Sequence, residues 1–140
     1  MNEKLKEEVW SHFENTQNIF LATLDGKKPK VRPVTMIFNN DRFWVTTGAD
    51  NAKVKQIKEN PNTEFCLMFK EGEYNGYIRG GGIAVIVEDV ETKKMIAEGI
   101  PFFKEYWKSV DDPSFALLEI VIKEIEYLRP QELYVKRFSL

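Results

Sequence analysis

The chain has 140 residues, 43% hydrophobic and 13% aromatic, enough for one well-buried core and too few for two ordinary domains. Lysine and arginine number 20 against 22 acidic residues, a formal net charge of −2, so no bulk field favours nucleic acid or an anionic membrane, while local basic pockets stay open. Cys66 is the only cysteine and His12 the only histidine, which excludes an internal disulfide and any cysteine-rich or multi-histidine metal site; a reducing, cytoplasmic setting is expected.

Residues Met1 to Gln17 are heavily charged, unlike an apolar signal core, and no run approaches the roughly 18 apolar residues of a membrane span. The chain reads as a soluble, unprocessed single domain over residues 1–140. Leu5, Val9, His12 or Phe13, and Thr16 recur at helical spacing with charged residues between them, predicting an amphipathic helix over residues 2–17. The period then changes. Asn18–Leu24 is strand-like, Asp25-Gly26 signals a hairpin, and a second strand returns through Lys30–Phe38. Asn39-Asn40-Asp41 makes the next turn and Arg42–Thr47 a third strand, completing an antiparallel meander.

Asp50 or Asn51 can cap a helix running to Glu59, which Asn60-Pro61 would stop. Thr63–Phe69 and Tyr77–Val87 read as strands around a loop at Glu71–Gly76, Val90–Gly99 as a helix, and Pro101–Ser109 as a second short one. Phe115–Ile125 is again strand-like, and Pro130–Phe138 is either a last strand or an arm over a partner. Six antiparallel strands interrupted by short helices suggest a mainly β (α+β) closed or split barrel, since closure removes pairing edges and the strict βα alternation of a parallel fold is missing.

The candidate chemistry gathers around the third strand. Arg32 lies beside Pro33, whose missing N–H places it at an edge or bulge, so the guanidinium can enter a groove and grip a phosphate or a carbonyl-rich ring in bidentate fashion. Thr46 and Thr47 end the next strand just before a glycine turn and a helix start, and Lys53 sits in the first helical turn. A cation there opposes the helix dipole unless an anion binds. Read alone, Lys53, Lys55 and Lys58 are a solvated face and the threonines ordinary strand residues; together with Arg32 they read as a phosphate site. His12, on the first helix, suits a core-edge or surface role, and Cys66, within Phe65–Phe69, reads as buried and inert. No catalytic acid or base stands out. Gly80-Gly81-Gly82 marks either a barrel-corner kink or a close approach of ligand.

Phe20–Gly26, Val31-Arg32-Pro33-Val34, Trp44–Thr47, Asn51-Ala52-Lys53-Val54, Asn60-Pro61, Gly82–Asp89 and Asp111–Ile120, in that order and spacing, resemble the pyridoxamine 5'-phosphate oxidase-like, FMN-binding split-barrel family, in its short general stress protein 26-like branch. The resemblance implies a homodimer with FMN in grooves at the subunit interface. It sets Arg32, Pro33 and Val34 along the ring and ribityl chain, Thr46 and Thr47 at the ribityl-phosphate region, and Asn51 and Lys53 at the phosphate. Gln56 would join the same wall, and Trp107 would close the pocket from the partner. Asn51 stands where the family often has serine, and Leu128 where it often has tryptophan.

The implied activity is an FMN-dependent oxidoreductase or flavin reductase-like protein acting with a small-molecule electron donor or acceptor. Pyridoxamine phosphate oxidation itself, which needs a further phosphate site and a longer C-terminal region, is not expected. An F420-dependent reductase on the same fold, with an added basic groove for the acidic tail, and a non-enzymatic flavin or haem module are the alternatives. Tyr74, Tyr77, Phe102, Phe103, Tyr106 and Trp107 supply aromatic surface for a two-fold partner or for plugging the barrel ends.

Overall fold

A computed structural model describes residues 3–140. The elements in chain order are α1 (Glu3–Trp10), β1 (Thr16–Asp25), β2 (Lys28–Asn39), β3 (Arg42–Gly48), α2 (Ala52–Glu59), β4 (Asn62–Glu71), β5 (Tyr74–Val87), α3 (Val90–Glu98), α4 (Phe103–Tyr106), β6 (Phe115–Leu128) and β7 (Lys136–Ser139). All pairings are antiparallel in the order β3-β2-β1-β4-β5-β6-β7, and β3 also pairs with β6. That last pairing closes β1–β6 into a six-stranded barrel. The strand count is seven rather than six, because the Lys136–Ser139 segment pairs with the far half of β6.

Turn chemistry sets the hairpins. Asp25 pairs with Lys28 and Glu71 with Tyr74, and in each two-residue turn a glycine supplies the positive φ, +61° at Gly26 and +62° at Gly72. The strands therefore run further into the turns than sequence suggested, and the expected loop Glu71–Gly76 shrinks to the two-residue turn Gly72-Glu73. Asn40 and Asp41 both have positive φ, 54° and 58°, the signature of a type I′ hairpin. The predicted helix over 2–17 is shorter: α1 ends at Trp10 in i→i−3 bonds from His12 to Val9 and Phe13 to Trp10, and Thr16 already belongs to β1. Met1 and Asn2 lie outside the described residues. The second short helix likewise contracts from Pro101–Ser109 to the single turn of α4.

Two apolar clusters organise the interior. Ile19 and Leu21 of β1, Phe65 and Leu67 of β4, Ile78 of β5 and Tyr127 of β6 fill the barrel, plugged by Val9 and Phe13. A second cluster joins Trp44 and Ile37 on the outer side of β2–β3 to Ile96 of α3 and Phe103 of α4. The glycine run is a barrel corner: the β5–β6 register shifts between Gly81 and Gly82. A Cβ on Gly82 would overlap the Val121 carbonyl, and one on Gly80 the Phe65 ring.

Candidate functional site

β2 and β3 pair only from Met36↔Val45 to Asn39↔Arg42. On its other edge β3 pairs with β6 from Phe43↔Ile120 to Gly48↔Phe115, so past Val45 it keeps β6 and no longer pairs with β2. The 28–35 half of β2 is left with a free edge. Pro29 and Pro33 fall on this stretch, as suits a strand that lacks one neighbour. The split so formed is a groove of about 580 Å³, inside the range of small-molecule sites. Pro33, Val34 and Thr35 make one wall, and Thr46, Thr47 and Gly48 the other. Lys53 closes one end, while Phe102, Tyr106 and Trp107 from the α4 region form an aromatic side.

Asn51 positions the lysine. Its side chain caps α2 by accepting from the Lys53 backbone N–H at 3.1 Å, and its Oδ1 also accepts from Lys53 Nζ at 3.1 Å. Lys53 Nζ donates further to Thr47 Oγ1 at 2.6 Å. The side chain is only 7% exposed, so burial lowers its pKa, and the charge of Arg32 lowers it further.

Arg32 is half-buried under α2. It donates to Thr23 Oγ1 (2.8 Å), the Leu21 carbonyl (3.3 Å) and Gln56 Oε1 (3.0 Å), while Thr23 Oγ1 donates to Gln56 Oε1 at 2.6 Å. Burial lowers the Arg32 pKa too. Every one of these partners is neutral. Among the described residues, the cations in ion pairs are Arg42, Arg79, Arg129, Lys136 and Arg137. Lys53 thus feels the charge of Arg32, and among the described residues neither cation is in an ion pair. A second cavity, of about 450 Å³ over Gly81, is the opposite case, since Arg79 and Arg137 there already hold Glu64 and Glu126.

The structure brings Pro33, Val34, Thr46, Thr47, Lys53 and Trp107 into one groove; Arg32 is not part of that lining, its guanidinium being turned onto Leu21, Thr23 and Gln56. Gln56 orients Arg32 rather than lining the wall, and Asn51 acts through the cap. Trp107 lines the groove of its own chain, packed on Phe103 and Phe115. Thr23, Thr35 and Gly48 are not expected from the sequence as site residues, whereas Phe102 and Tyr106, read there as aromatics for a partner or a barrel plug, line the groove. Thr23 had one legible signal: it is the hydroxyl in the inward series Ile19, Leu21, Thr23.

Elsewhere, His12 stacks on Phe69 with centroids 4.0 Å apart and meets Tyr127 Oη at 3.3 Å. Cys66 is half-buried on the outer face of β4 rather than inside the barrel, and burial raises its thiol pKa. Among the described residues no group of three or more His, Cys, Asp or Glu converges as a metal site, and no helix is long and apolar enough to cross a membrane.

A family model described as Pyridoxamine 5'-phosphate oxidase matches residues 5–129. General stress protein 26 of Bacillus subtilis (strain 168) is 26% identical over 134 residues, 94% of each chain. The crystal structure of General Stress Protein 26 from Bacillus anthracis str. Sterne is similar with a TM-score of 0.78 at 23% identity, covering 100% of both chains. A heme binding protein from Mycobacterium smegmatis is similar with a TM-score of 0.74 at 14% identity, over 88% of this chain and 53% of that one. These structural likenesses establish the fold, the split barrel.

Proposed function

Because the chain belongs to the pyridoxamine 5'-phosphate oxidase family, we propose that it holds FMN in the split of its barrel and works as an FMN-dependent oxidoreductase. The observation that carries this reading is the pair of cations, Arg32 and Lys53, whose partners are all neutral. A phosphate monoester carries close to two negative charges near neutral pH and matches that deficit. The N-terminus of α2 adds a favourable dipole for it. The ring would lie along the free edge of β2 at Pro33 and Val34, with Trp107 and Tyr106 on the facing side.

When bound, the flavin supplies hydride or electron transfer. The protein's share is binding and orientation: Arg32 and Lys53 fix the phosphate, Gln56 and Thr23 hold the guanidinium, and the aromatic side shields part of the groove from water. The lining named above contains no carboxylate or imidazole, which fits a site whose redox work falls to the cofactor. A small-molecule electron donor or acceptor would approach the ring from the open side.

The functional unit we propose is a homodimer. Phe20 pairs across the sheet with Pro33 on one side and Cys66 on the other, and the same outer face carries Val31 and Met68, 68% and 61% exposed. This apolar strip runs continuously into the groove at Pro33, so a second copy seated on it would wall the flavin. The first experiment is the spectrum of the purified protein with an FMN titration. One FMN per chain supports the reading, a Soret band would move it to haem, and deazaflavin fluorescence to F420. Haem is disfavoured by the lining, in which Tyr106 is the one residue of an axial-ligand type.

A further inference from the structure

We propose that Lys53 of the flavin-free protein is a carbonyl-trapping amine, and that the groove takes up a neutral aromatic aldehyde as an imine on its Nζ. This goes beyond the flavin reading and does not rest on it. Nζ has two acceptors, Thr47 Oγ1 at 2.6 Å and Asn51 Oδ1 at 3.1 Å, and among the described residues no carboxylate pairs with it. An ammonium has three N–H groups to place, so these two oxygens leave one over. A neutral amine places both of its N–H groups on them and keeps its lone pair for the groove that Lys53 lines.

The surroundings favour the neutral form. Lys53 is buried, which penalises its charge, and Arg32 of β2 acts on it as a like charge. Desolvation and a neighbouring cation are the two conditions that make a lysine a nucleophile toward carbonyls. A bound phosphate would reverse the balance by taking the third N–H, so aldehyde and FMN compete for one group.

The lining selects the carbonyl compound. Lys53 is the one charged residue in it, and Phe102, Tyr106 and Trp107 give the groove an aromatic side. A neutral ring stacks there, whereas an anionic group would hold Nζ protonated and unreactive. The step balances without a redox partner. The Nζ lone pair attacks the carbonyl carbon, the oxygen takes up a proton and Nζ gives one up, and loss of water from the carbinolamine forms the C=N bond. Amine and aldehyde become imine and water.

The test is reductive trapping of the flavin-free protein near neutral pH with benzaldehyde or hexanal and sodium cyanoborohydride. Intact mass and peptide mapping read the label, with the exposed Lys28 as internal reference. Benzaldehyde should give a single adduct that maps to Lys53 ahead of Lys28, hexanal should favour Lys53 less, and Lys53→Met should lose the adduct. Mapping in wild type keeps the result independent of how the variant folds. Lys28 labelled ahead of Lys53, or the same preference for Lys53 from both aldehydes, overturns the inference. Saturating FMN should suppress the Lys53 adduct; an adduct that persists in FMN overturns the flavin reading and leaves this inference standing.

Discussion

Lys53 is the residue on which structure and function pull in opposite directions. Its ammonium is buried against a hydroxyl and an amide, and its pKa is lowered by burial and by Arg32. Between that lowered value and the unfolded value of about 10.4, the unfolded chain binds more protons, so the stability of the flavin-free protein rises with pH through the window. Below it the buried charge is a standing cost. Lys53→Met should therefore raise the thermal midpoint of the flavin-free protein while weakening FMN by about 30-fold, the consequence of losing one partner of a buried charge pair. In wild type, FMN affinity should fall as pH rises through the lowered Lys53 pKa, and calorimetry should show protons taken up on binding there. Arg32, Thr47 and Lys53 were legible in the sequence because cations, hydroxyls and a helix start fell together. Thr23 and Gln56 were harder to place, since the role of each depends on a contact across 33 positions in the chain.

Among the elements, the β5–β6 corner and the α1 latch carry distinct expectations. Gly82→Ala drives a Cβ into the Val121 carbonyl and should destabilise by about 3 kcal/mol in denaturant unfolding, without a specific effect on flavin affinity in the protein that remains folded. α1 is tied to the end of β6 by Glu8, which accepts from Arg129 at 2.7 and 2.8 Å and from Tyr127 Oη at 2.5 Å. The Arg129 hydrogen bonds, with Tyr127 assisting against burial, pull the Glu8 pKa from 4.5 down to about 2. Because the folded pKa is depressed, this stabilisation is present above pH 4.5 and is lost as pH falls from about 4.5 toward about 2. Glu8→Gln should flatten acid unfolding over that window.

His12, its pKa lowered chiefly by burial against the opposing effects of Glu71 and Glu8, costs stability as pH falls below about 6.5. Most elements were readable from alternation and turn residues. α1 was overrun because Phe13 stays in the core after the helix has ended, so its apolar period outlasts its hydrogen bonds. β7 stayed open because Lys136–Ser139 carries one buried residue, Phe138, and its place on β6 is decided only by the barrel.

Across the whole molecule, the split arises because β3 keeps its pairing with β6 to Gly48 while its pairing with β2 stops at Val45. Local sequence cannot announce where that pairing stops; the family resemblance could, because it brings the whole ordered pattern at once. The proposed dimer belongs to this scale as well. Phe20→Asp puts a charge on an apolar face whose centre lies between Pro33 and Cys66, so it should convert a two-chain species into single chains in analytical ultracentrifugation and lower flavin occupancy with it. A wild-type protein that sediments as one chain with full flavin occupancy would count against an interface site.

The most direct test of the central claim, that Arg32 and Lys53 form a phosphate site in the split, is a side-by-side titration of FMN and riboflavin against wild type, Arg32→Ala and Lys53→Met. FMN should bind wild type far more tightly than riboflavin, and that difference should collapse in both variants; equal binding of the two flavins, or a phosphate preference that survives both substitutions, would contradict it.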